Sequence, residues 1–86
     1  MINSARENKV HSIRKLYKQI HEQYPQETEI VMDLVHNAAY DGKLECELDY
    51  MMMPKDAVHD ILELLRLIGY TVDRNDITEI ATIKWV

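Results

Sequence analysis

Leu44-Glu45-Cys46-Glu47-Leu48-Asp49-Tyr50 alternates apolar and acidic residues without a break. In a strand, successive side chains point to opposite faces. Leu44, Cys46, Leu48 and Tyr50 are therefore expected inside, and Glu45, Glu47 and Asp49 in water. Downstream, Pro54 stands where a helix starts and Gly69 where it stops, the usual asymmetry of a cleanly bounded helix. Between them Val58, Ile61, Leu62, Leu65 and Ile68 share one face and His59, Glu63 and Arg66 the other, with Leu64 and Leu67 widening the apolar surface. Tyr70-Thr71-Val72-Asp73 reads as a short strand and Arg74-Asn75-Asp76 as a turn. Ile77 to Val86, rich in β-branched residues, reads as the last strand.

Upstream, the pattern changes to helical spacing. Ser4-Ala5-Arg6-Glu7 fits a capping box. Val10, Ile13, Tyr17, Ile20 and Tyr24 recur every three or four residues with Leu16 beside them, one stripe at ~3.6 residues per turn. Pro25 biases Tyr24 away from helical geometry, so this helix is expected to end near Glu22. A second helix is expected from about Glu27 to Asp41. Ile30, Val31, Leu34, Val35 and Ala38 form its apolar face, acids load its first turns, and Gly42 supplies a left-handed cap. The strand then runs from Lys43 to about Met52. One α+β domain over 1–86 follows, in the order α-α-β-α-β-β, with about three strands backed by helices. Residues 1–24 form an amphipathic helix and a candidate oligomerisation element, and 27–86 an α-β-α-β-β body.

Composition narrows the function. The chain has 86 residues, an apolar fraction of 47% and only two Gly and two Pro, which favours an ordered domain. The longest apolar run, Tyr50 to Pro54, is far too short for a membrane span. The single Cys46 precludes an intramolecular disulfide, and Met1 to Glu7 lacks the apolar core of a secretory signal. These readings point to a reducing intracellular setting. The net charge of −5 disfavours nucleic acid as a partner. The exception is the first helix, where Arg6, Lys9, Arg14, Lys15 and Lys18 are concentrated.

No motif announces a reaction. There is no P-loop, GxGxxG, HExxH or CxxC, and neither a catalytic nor a cofactor-binding residue is expected. His36 with Asp33, and His59 with Asp56, Asp60 or Glu63, have ligand-like spacing. Nothing in the sequence forces a third ligand to join them. Cys46 reads as a small buried hydrophobe. Contact residues are easier to name. The stripe residues Ile13, Tyr17 and Ile20 are candidates for self-association on a small body. Glu45, Glu47 and Asp49 form either the wet side of a sheet or a face for a basic partner. Met51, Met52 and Met53 cannot all point inward from one strand, and methionine adapts readily to binding surfaces. Trp85 is expected to close the core at the chain's end.

Ala38-Ala39 ahead of Gly42, a strand, a helix with Leu65 before Gly69-Tyr70 and Val72, and a final strand ending in Ile83 and Trp85 form a composite pattern. From Val31 to Val86 it resembles short, mostly uncharacterised α+β proteins encoded by tailed bacteriophages; the helix from Ser4 to Glu22 lies outside it. The resemblance implies a viral origin and carries no catalytic residue. The expected function is non-enzymatic: protein–protein contacts, within a homo-oligomer or a larger viral assembly, in the host cytoplasm or the virion. The alternative is an acidic inhibitor of a host nucleic-acid enzyme or anti-phage defence protein, and a metal-dependent enzyme is a distant third.

Overall fold

The computed structural model describes residues 5–85 and, in the first helix, the side chains from Lys9 onward except that of Val10. The capping box and Val10 thus fall outside the described side chains. The elements are α1 (Ala5–Gln23), α2 (Pro25–Tyr40), β1 (Glu45–Asp49), α3 (Lys55–Ile68), β2 (Thr71–Asn75) and β3 (Ile80–Lys84). The α+β class and the order α-α-β-α-β-β are those read from the sequence.

Tyr24 alone joins the first two helices. Its N–H donates to the Ile20 carbonyl (2.8 Å) and its carbonyl accepts from the Thr28 N–H (3.0 Å), so one residue closes α1 and opens α2. Pro25 occupies the first turn of α2, where its missing N–H costs nothing, which is why α2 begins before Glu27. Both α2 and α3 stop on a glycine at positive φ, Gly42 at 81° and Gly69 at 120°. Lys43 N–H reaches back to the Ala38 carbonyl and Tyr70 N–H to the Leu65 carbonyl, each at 3.0 Å, satisfying carbonyls the helix leaves open.

The strands form one antiparallel sheet in the order β1-β3-β2. The β-branched strand β3 takes the centre, where Ala81 and Ile83 are fully buried. α2 packs on β1, α3 on β2, and α1 on both helices. α3 is therefore covered on two sides, and its buried set is wider than one stripe. Ala57, Val58, Ile61, Leu62, Leu64 and Leu65 are all enclosed, whereas Ile68, expected inside, is 44% exposed at the helix end. Thr28 is a buried polar residue with no hydrogen-bond partner for its hydroxyl.

The strand boundaries also differ from expectation. Arg74 and Asn75 belong to β2, and the turn is Asp76 to Glu79. The Asn75 Oδ1 accepts from the N–H groups of Ile77 (3.0 Å) and Thr78 (3.2 Å), so this local side-chain bond takes Ile77 out of the strand. Glu79 then turns the chain back at φ 56°. β1 is also shorter than expected. Leu44 precedes it and is 62% exposed.

The parity of β1 follows from its ends. Tyr50 N–H donates to the Glu79 carbonyl (2.9 Å) and Trp85 N–H to the Leu44 carbonyl (3.2 Å), both in the register that pairs Cys46 with Ile83 and Leu48 with Ala81. Even-numbered residues of β1 thus bond to β3, and the backbone groups of Glu45, Glu47 and Asp49 point to the outer edge.

Candidate functional site

The expected contact residues separate into four places. On α1, Ile20 is in the core, Ile13 and Leu16 are half-buried against it, and Tyr17 is the exposed member of the stripe, stacked on His21. The His21 imidazole lies 3.6 Å from Glu29 of α2. Lys9, Arg14, Lys15 and Lys18 are exposed on the same helix.

On the open face of the sheet, Glu45, Glu47 and Asp49 share the face with Asp73 of β2, which lies across the central strand β3, and Lys84 of β3 is opposite Glu45. Four carboxylates face one ammonium there, and the helices pack on the opposite face. Cys46 is buried beneath them and packs in the core; burial, then the nearby Glu45, raises its thiol pKa.

The third place is the end of the sheet where β1 stops and the hairpin turns. Tyr50, 1% exposed, donates its hydroxyl to the Asp76 carboxylate (2.8 Å), with the Asn75 carbonyl also in reach (3.1 Å). Arg74 lies over the Tyr50 ring at 5.3 Å and donates to the same Asp76 oxygen (2.7 Å). The Tyr50 bond first, and then Arg74, hold the Asp76 carboxyl below its ordinary range. This latch fixes both loops. Beyond it project Met51, Met52 (93% exposed) and Ile77 (95%), while Met53 folds back against the core.

The fourth place was not singled out in the sequence. At the opposite end of the sheet a cleft of about 290 Å³ is lined by Val35, Ala39, Ile68, Gly69, Tyr70 and Trp85. Tyr70 and Trp85 meet edge to face at 6.3 Å. Trp85 packs on the rim of the core without being enclosed, and the Leu44 backbone is bonded to it. A second cleft shares Val35, Ala39 and Tyr70 and adds Tyr17, Met32, Asp33 and His36. What these residues share is position at an element's limit: Leu44 immediately precedes β1, Ile68 ends α3 and Trp85 immediately follows β3.

Among the described residues, no three His, Cys, Asp or Glu side chains converge as metal ligands would, and no helix is long and apolar enough to cross a membrane. His36 and His59 remain exposed on their helices. No family model, curated protein or solved structure matches this chain.

Proposed function

We propose that this is a small non-enzymatic protein of phage type that works through protein–protein contacts, as a homo-oligomer or as a piece of a larger viral assembly. The observation that carries the reading is the apolar end of the sheet, where exposed Ile68 and half-buried Tyr70 and Trp85 line a cleft and exposed Leu44 is joined to Trp85 by a backbone bond. Scattered single hydrophobes are normal on a protein surface; a contiguous set beside a cleft marks a contact. The test is the mass in solution by light scattering. The parent should exceed its 10.2 kDa chain mass as concentration rises, or once its partner is added. A Leu44→Ser, Ile68→Ser variant should stay monomeric with its fold unchanged.

The acidic open face of the sheet supports a second reading, an inhibitor that occupies a basic cleft of a host nucleic-acid enzyme or defence protein. Under that reading, changing Glu45, Glu47 and Asp49 to glutamine slows association, steeply so at low salt, and the apolar variant has no effect.

A further inference from the structure

We infer that the outer edge of β1 is a docking site for an extended segment of another protein, one that alternates basic and small apolar residues and adds to the sheet as an antiparallel fourth strand. This rests on the contact reading above and names a partner class for it. Three observations converge. The backbone groups of Glu45, Glu47 and Asp49 point outward, away from β3, so β1 offers a row of donors and acceptors to a new strand. The other edge of the sheet is partly occupied: the Val72 carbonyl of β2, which also points outward, accepts from the Arg66 guanidinium at 3.0 Å. Beside β1 runs a cleft of about 350 Å³, lined by Leu34, Asn37 and Ala38 of α2 and by Cys46, with Glu45 and Glu47 at its β1 side.

This geometry fixes the partner's chemistry. In an antiparallel pair, directly opposed residues place their side chains on the same face. Residues opposite Glu45, Glu47 and Asp49 therefore lie among carboxylates and are expected to be Lys or Arg. The intervening residues turn toward Leu34 and Ala38, where small apolar groups such as Val fit. A second copy of β1 is a poor occupant, since pairing it with the first would set two rows of carboxylates face to face. The acids thus guard the edge against self-pairing and select for a basic strand.

The test is titration of the 15N-labelled protein with a blocked peptide of alternating Lys and Val. The Glu45, Glu47 and Asp49 amides should shift and gain at least about tenfold protection from exchange, as newly bonded amides do. Cys46 and Leu48, already bonded to β3, should change little. Methylating the peptide's Lys nitrogens should abolish binding, and methylating its Val nitrogens should not, because only the former point at β1. Glu47→Pro removes one outward N–H while sparing the bonds to β3, and should weaken binding at least about tenfold. A Glu/Val peptide that binds equally well, or Lys methylation without effect, would overturn the proposal. Those results leave the apolar contact reading standing, since that depends on Leu44 and Ile68 and is measured by mass.

Discussion

The two ends of the sheet are closed in opposite ways. At the Tyr50 end a buried hydroxyl, a carboxylate and a guanidinium tie the loop after β1 to the β2–β3 hairpin. At the Trp85 end the chain is held by one backbone bond to Leu44 and by an edge-to-face contact with Tyr70, with a cleft between them. Directional bonds give a closed, specific joint. Non-directional apolar contacts leave surface over, and that surface is available to a partner. Under the proposed function, the first end serves stability and the second recognition.

The largest effect should come from breaking the first end. Tyr50→Ala removes a buried aromatic and is expected to cost ~3–5 kcal/mol. Tyr50→Phe keeps the ring and loses only the hydroxyl's bond to an exposed carboxylate that water can replace, at ~0.5–1.5 kcal/mol. Denaturant unfolding would read both. If Phe unfolds at the same midpoint as Tyr, the latch contributes nothing and the contrast between the ends fails.

Trp85→Ala should be milder. Part of its ring is wet in both the folded and unfolded states, so roughly 1–2 kcal/mol is expected from the apolar area it buries. Its association should fall more than its stability. A loss of stability as large as that of Tyr50→Ala would make Trp85 a core residue after all.

The smallest effect is the acid dependence of the latch. The Asp76 carboxyl lies below its ordinary range in the fold, so it stabilises the protein above that range, and the contribution is lost as pH falls through the lowered value. Asp76→Asn should flatten this part of a thermal-midpoint curve measured between about pH 2 and 6, where carboxylates titrate. An unchanged slope would show that the latch bonds are not formed in solution.

Much of this contrast was legible in the sequence, and each failure has a physical cause. Alternation placed Cys46, Leu48 and Tyr50 inside correctly, because period-two patterning reports which face of a strand is covered. It could not report where the cover ends, so Leu44 was assigned inward by the same parity and yet is exposed. Ile68 fails likewise at the end of α3. Ile77 has the residue type of a strand, but the Asn75 side chain, a local signal competing with propensity, holds it at the hairpin tip. Leu64, read as widening the apolar surface of α3, is buried because α3 lies between the sheet and α1, whereas Leu67, read the same way, is 47% exposed. The Trp85 end was hidden for the same reason. It is assembled from the termini of separate elements, each unremarkable in its own segment, whereas the acidic row and the methionines each lie within one.

The central claim, that the Trp85 end is a contact surface, is tested most directly by fluorescence-detected sedimentation of the labelled protein. It would be run alone at rising concentration and in bacterial extract, beside the Leu44→Ser, Ile68→Ser variant. The account predicts a faster boundary for the parent in at least one setting and its disappearance in the variant, with the two thermal midpoints within a few degrees. A parent that sediments as a monomer throughout, or a variant that keeps the faster boundary, would contradict it.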